Sequence, residues 1–227
     1  MKIGMVSKFP EQEDGIAIYS ASLCEELENI GIGVVKIGDK ESNTADYKLD
    51  FNSLFLKSQI AKILESERLD LLHIQHIAAH FSKPLLNLNL LLTLSQKVPV
   101  MVTLHEVHTS AATIKEKILS WLEGKIAKKA DAVIAHTRQQ KEFLQMKHKK
   151  KHAYHILHGL VLNPVHKLSN KSVLVFGMLN HGKGVEHLIR AMNYLPGYKL
   201  RVAGKAISPE YEKLVRAAAD ENKQGNV

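Results

Sequence analysis

The stretch Val98-Pro99-Val100-Met101-Val102-Thr103-Leu104-His105-Glu106-Val107-His108 decides the fold. Its first seven residues form a short, apolar, β-branched run, which reads as a strand buried on both faces. The polar residues from His105 onward mark where that strand leaves the sheet. A helix follows from about residue 111 to 128, with Ile114, Ile118, Trp121, Leu122 and Ile126 at helical spacing. This face is expected to be core, Trp121 included. Residues 131–135, Asp-Ala-Val-Ile-Ala, then read as another strand. Strand, helix and strand in succession make parallel neighbours, since a parallel pair needs a crossover connection.

The same alternation extends outward in both directions. Toward the N-terminus, strand patterns at 3–6, 34–37 and 70–75 alternate with helical patterns at 15–30 and 54–64 and a leucine-rich one from about Pro84. The first helix places Ile16, Tyr19, Leu23, Leu27 and Ile30 three and four apart and stops at Gly31. Toward the C-terminus come a helix at 138–146 and a short strand at 154–157. Asn163-Pro164 and Asn170 then break the rhythm, so 161–171 reads as a linker. Strands at 173–176 and 199–203 and helices at 184–192 and 209–220 begin a second alternation. The expected fold is α/β: one complete doubly wound, Rossmann-like domain over 1–160, and the first part of a second over 172–227.

Composition sets outer bounds. The chain has 227 residues, 45% hydrophobic and 24% charged, as an ordinary globular protein does. No apolar run reaches the ~18 residues of a membrane span, and the N-terminus leads straight into a strand rather than a signal peptide. The single cysteine, Cys24, excludes an internal disulfide and fits a cytoplasmic location; its periodic apolar setting makes it a small buried hydrophobe. The net charge is +8, and residues 138–158 hold six basic residues against one acid, Glu142. Arg138, Lys141, Lys147, Lys149, Lys150 and Lys151 are expected to be exposed and to favour an anionic partner, an anionic membrane surface included. Only Phe143 and Tyr154 interleave as aromatics, so no nucleic-acid partner is expected.

Four segments carry chemistry, each where a strand gives way to a loop or helix, the edge at which open parallel sheets bind ligands. Gly15 opens the first helix, where a glycine lets an anion approach free N–H groups; turn chemistry is the plain alternative. His73, Gln75 and His76 end one strand, with His80 close behind. His105 and Glu106 end another; a histidine there can bind a substrate hydroxyl or carry a proton, or be a polar loop residue. Finally Val175-Phe176-Gly177-Met178-Leu179-Asn180-His181-Gly182-Lys183-Gly184 runs from strand to helix with Lys183 at the helix mouth, a cradle for a phosphorylated ligand that lacks the Walker pattern.

In order, the pieces Phe9-Pro10…Gly15-Ile16-Ala17-Ile18-Tyr19, Asp70-Leu71-Leu72-His73-Ile74-Gln75-His76, Thr103-Leu104-His105, Ala130-Asp131-Ala132-Val133-Ile134, His155-Ile156-Leu157-His158-Gly159 and Phe176-Gly177…Lys183-Gly184 resemble the retaining GT-B glycosyltransferases of family four. The resemblance implies a nucleotide-diphosphate sugar held between two domains and transferred, with retention, to a glycan or lipid-linked acceptor. It implies that His105 contacts the transferred sugar as the catalytic candidate. Gly15, Gly177, Lys183 and Gly184 would meet the donor diphosphate, and His76 and Glu106 would lie on the acceptor side. No cofactor or bound metal is implied, since cationic side chains and helix dipoles support the leaving group. Two departures stand out. Met178 occupies a position where many relatives have arginine, and the family's pair of glutamates eight apart does not follow the second helix. The chain thus resembles a C-terminally truncated member, with an incomplete donor pocket and weak or absent activity expected.

A GT-B sugar-nucleotide epimerase would call for further carboxylates near the strand ends, where Glu106 stands almost alone. A non-catalytic sugar- or anion-binding module would use the basic stretch. A metal site could draw on His73, His76 and His80 or on His152, His155 and His158, but His73 and His76 lie in a strand pattern and point to opposite faces.

Overall fold

The computed structural model describes residues 1–10, 15–76, 96–110, 112–159 and 171–227. The leucine-rich pattern from about Pro84, His80 and most of the expected linker lie outside them. The chain divides into two compact units, Met1–Val161 and Leu162–Val227.

The first unit is built on seven strands: β1 (Lys2–Val6), β2 (Gly33–Asp39), β3 (Tyr47–Leu49), β4 (Leu71–His76), β5 (Val100–Leu104), β6 (Ala132–Ala135) and β7 (Ala153–His155). Their order is β3-β2-β1-β4-β5-β6-β7, and every pairing is parallel. The chain winds outward from β1 to β3, then returns to lay β4 beside β1, which is the doubly wound topology with its switch point between those strands. Four helices are described: α1 (Gly15–Asn29), α2 (Leu56–Ser66), α3 (Ile114–Lys129) and α4 (Arg138–His148).

Side-chain parity assigns the helices to two faces. Gly4 is in register with Val35 and Leu72, and Leu72 with Val100. Val35, Leu72 and Val100 join one core with Ile60 and Ile63 of α2, Ile126 of α3 and Leu144 of α4. Ile3 and Met5, one residue out of phase, join Cys24 and Leu23 of α1 in a separate core. Alternation along the strands is therefore what puts helices on both faces of the sheet.

Three expectations change. The edge strand β3 was not anticipated, because three residues carry too little pattern to read. Trp121 is 58% exposed and Ile114 79%, with Ile118 exposed beside them. Helix α3 instead packs through Ser120, Glu123, Gly124, Ile126, Ala127 and Ala130, all buried. The reason is close packing on α4: a Cβ on Gly124 would come within 2.4 Å of the His148 ring, so a small residue is what admits that ring. The basic stretch is likewise not uniformly exposed, since His148 and Lys150 are buried. The Lys150 ammonium donates to the carbonyl of Ala130 and, at 3.1 Å, to that of Asp131, satisfying acceptors just past the end of α3.

In the second unit β8 (Ser172–Phe176) pairs in parallel with β9 (Lys199–Ala203). Helices α5 (Val185–Ala191) and α6 (Pro209–Asp220) pack with them around Val185, Ile189, Leu200, Tyr211 and Val215. Ser208 caps α6 and Pro209 takes its first turn, where no N–H is needed. The expected helix at 184–192 is shorter than its pattern, because a 3-10 turn at His181–Lys183 precedes it.

Candidate functional site

The C-terminal edge of the seven-stranded sheet gathers the first group of candidate residues. His105 follows β5 directly, and its backbone N–H donates to the carbonyl of His76 at 3.0 Å. Its Nε2 lies 2.9 Å from Gln75 Oε1. The Gln75 amide nitrogen faces Met5 Sδ and His73 Nε2, each at 3.3 Å, so the Gln75 oxygen accepts and His105 donates from Nε2. His73 Nε2 is also 2.8 Å from Thr103 Oγ1. Burial pushes the His73 pKa down to about 4, so the ring is neutral and accepts at Nε2. The chain Thr103–His73–Gln75–His105 fixes the tautomer of His105 and leaves Nδ1 as its lone-pair nitrogen.

Around His105 stand three further rings. Tyr19 of α1 meets it edge-on with centroids 5.0 Å apart, and approaches His136 at 5.7 Å and His158 at 4.5 Å. His136, directly after β6, and His158, beyond β7, lie 4.8 Å apart by centroid. One ring nitrogen from each of His105, His136 and His158 falls within 4.8 Å of the others. Burial lowers the pKa of His136. Just beyond His105, Glu123 of α3 holds the loop: its carboxylate accepts from the His108 backbone N–H at 2.9 Å and meets His108 Nδ1 at 2.6 Å. Desolvation is the chief effect on Glu123, raising its pKa.

Sequence reading points to His105, and to His158 only in a different grouping with His152 and His155, not to their meeting with His136. His136 and His158 were obscured because a site at a sheet edge takes single residues from separate strands. The signal was there in principle: Leu104 is in register with Ala135 and Ala135 with His155, so His105 and His136, each directly after its strand, lie side by side. In the sequence Tyr19 shows only as a member of an apolar stripe. The other expected residues are placed differently. His76 is 2% exposed at the end of β4, so its ring is not offered to an acceptor, and that assignment is withdrawn. Glu106 is exposed. Gly15 opens α1, and a Cβ on it would meet nothing within 4 Å among the described residues.

The second unit places Gly177, Lys183 and Gly184 around one turn. Gly177 leaves β8 with φ +99°. A Cβ on Gly204 would fall 1.8 Å from the Gly177 carbonyl oxygen, so the strand ends converge where no side chain fits. The Lys183 ammonium donates to the carbonyl of Phe176 at 2.9 Å. Gly184, at φ +58°, caps the seven-residue α5 rather than lying inside it. Glu186 in its first turn accepts from the Tyr211 hydroxyl at 2.6 Å, which is the first cause of its lowered pKa.

The Glycosyltransferase Family 4 profile matches residues 14–161. The chain belongs to that family. No curated protein matches the family 4 chain. Among solved structures, an alpha-glucosyltransferase in complex with UDP and a 13-mer DNA containing an HMU base is 12% identical with a TM-score of 0.64, the match covering 96% of this chain and 60% of that one. Anabaena HepE in complex with UDP and glucose is 16% identical with a TM-score of 0.59, covering 100% of this chain and 67% of that one. At such identities the likeness establishes the GT-B fold. The family 4 chain spans about 60% of the length of the alpha-glucosyltransferase. No helix among the described residues is long and apolar enough to cross a membrane.

Proposed function

We propose that this family 4 chain takes part in glycosyl transfer from a nucleotide-diphosphate sugar to an acceptor hydroxyl, with retention at the sugar. The observation that carries the reading is the orientation of His105 at the C-terminal sheet edge. Its Nε2–H is held by Gln75, so Nδ1 is the nitrogen able to accept a sugar hydroxyl. A ring fixed in this way contacts sugar without reorganising, which is what transition-state binding rewards.

The donor diphosphate is assigned to the turn between Gly177 and Gly184. Lys183 would exchange the Phe176 carbonyl for a phosphate oxygen, a stronger, charge-assisted partner. Gly15 is assigned to close approach of an anion to the free N–H groups at the start of α1. Glu106 is retained on the acceptor side, the acceptor being a glycan or a lipid-linked saccharide. No metal is needed for departure of the diphosphate where an ammonium and backbone N–H groups meet it.

Phosphate contacts on their own support only about millimolar affinity, roughly −4 kcal/mol. Calorimetry with several nucleoside diphosphates tests the donor assignment. Millimolar binding that Lys183→Ala weakens severalfold is expected. Micromolar binding indifferent to that substitution would place the donor elsewhere.

A further inference from the structure

The outward side of α3 carries apolar surface that the core does not use. Ile114 is 79% exposed, Ile118 55% and Trp121 58%. Successive members stand four and three positions apart, so they form one ridge along the helix. The side chains of α3 that do pack, such as Glu123, Ile126 and Ala127, lie around the rest of its circumference. A contiguous exposed apolar ridge on a folded domain marks a contact surface more often than scattered single residues do.

Lysines run beside the ridge. Lys117, Lys125 and Lys128 are exposed, and they stand four before, four after and seven after Trp121, on its own side of the helix. The Lys125 ammonium lies 5.4 Å from the centre of the Trp121 ring. Burial first, and then Lys147 and Lys128, hold down the pKa of His148, so cations of α4 and α3 meet around that ring. The carboxylates of α3 do not balance this charge. Glu116 accepts from the backbone N–H groups of Ala112 and Thr113, and Glu123 is buried against His108.

We propose that α3 is a membrane-contact helix, with Ile114, Ile118 and Trp121 entering the headgroup layer of an anionic bilayer and Lys117, Lys125 and Lys128 meeting the lipid phosphates. Tryptophan suits that depth, because its ring is apolar and its one N–H finds a partner at the wet rim. Lysine stems lie along apolar surface while their ammonium groups stay in the charged layer. Charge selects this occupant over others. A second copy docked face to face would set lysines against lysines. A nucleic acid would engage the lysines and leave Ile114 and Ile118 in water. Contact through α3 adds an inserted apolar element to the cations of α4, and it stands whether or not the chain transfers sugar.

Trp121 is the only tryptophan of the chain, so its fluorescence reports on the ridge directly. The whole 227-residue chain is mixed with vesicles of phosphatidylglycerol and phosphatidylcholine, with vesicles of phosphatidylcholine alone, and with a short DNA duplex. Emission should begin at the wavelength of an exposed indole, shift to the blue with the anionic vesicles only, and be quenched there by brominated acyl chains. Ile118→Ser should weaken partitioning onto those vesicles about tenfold. Replacing Lys117, Lys125 and Lys128 together by glutamine should weaken it about 100-fold. Circular dichroism checks the fold of each variant, and the spectral shift of the unaltered chain needs no variant at all. No binding to anionic vesicles, or binding without a blue shift, would overturn the proposal. So would an equal shift with neutral vesicles or with DNA. Emission already blue without lipid would do the same, since a second copy or another part of the chain would then cover Trp121.

Discussion

At the residue scale, two buried titratable groups show opposite ways of living in a core. The Lys150 ammonium donates to carbonyls just beyond α3, while burial pushes its pKa down against the pull of Asp131. Hydrogen bonds to a charged group contribute about 1.5–3 kcal/mol, from which the cost of desolvating the ammonium is subtracted. Lys150→Met, which keeps the stem, is therefore expected to lower unfolding stability by about 2 kcal/mol in urea titrations, and a change under half a kilocalorie would contradict the role. His73 is kept neutral instead. Burial lowers its pKa from 6.5 to about 4, so at lower pH the unfolded chain takes up a proton that the folded ring refuses. The contribution is fully present above pH 6.5 and is lost as pH falls toward 4, on the order of 3 kcal/mol in all. Urea unfolding at pH 7 and pH 4 should show the native chain losing that much more than His73→Gln; equal losses would mean His73 titrates normally.

At the scale of elements, what could be read was set by length and by which face packs. Strands such as 199–203 were legible because Leu200 and Val202 alternate with Lys199 and Arg201, the period of a half-buried strand. Three residues at 47–49 do not repeat often enough to show a period. Helix α3 was legible as a helix but not in its orientation. Its apolar stripe at Ile114, Ile118 and Trp121 faces outward, because Gly124 admits the His148 ring and Lys150 closes the helix end. Hydrophobic spacing finds the element, while the fit against a neighbour picks the buried face. Ile118→Ser and Trp121→Ser should accordingly each change stability by less than about 0.5 kcal/mol, as surface substitutions do. A loss of 3 kcal/mol or more for either, read from denaturant midpoints, would show that the stripe is buried. The candidate site was half legible for a related reason. His105 sits in a recognisable strand-end motif, whereas Gln75, His136 and His158 acquire their roles only through strand pairing.

At the scale of the whole molecule, charge and fold suggest where this family 4 chain works. Arg138, Lys147, Lys149 and Lys151 are exposed on and just beyond α4, against a net charge of +8. If the acceptor is lipid-linked, these cations are expected to hold the protein at an anionic membrane, each contributing about 1 kcal/mol near the surface. Co-sedimentation with acidic liposomes should then be strong at low salt and lost at high salt; equal binding to neutral liposomes would contradict it. Under the proposed function, a nucleotide sugar meets the turn between Gly177 and Gly184. Backbone amide NMR of the isotopically labelled chain, titrated with UDP-glucose and with other nucleotide sugars, tests it most directly. Saturable shifts are expected at Gly177, Lys183 and Gly184, and they should be lost in Lys183→Ala. Shifts confined to other residues, or none with any donor at millimolar concentration, would contradict it.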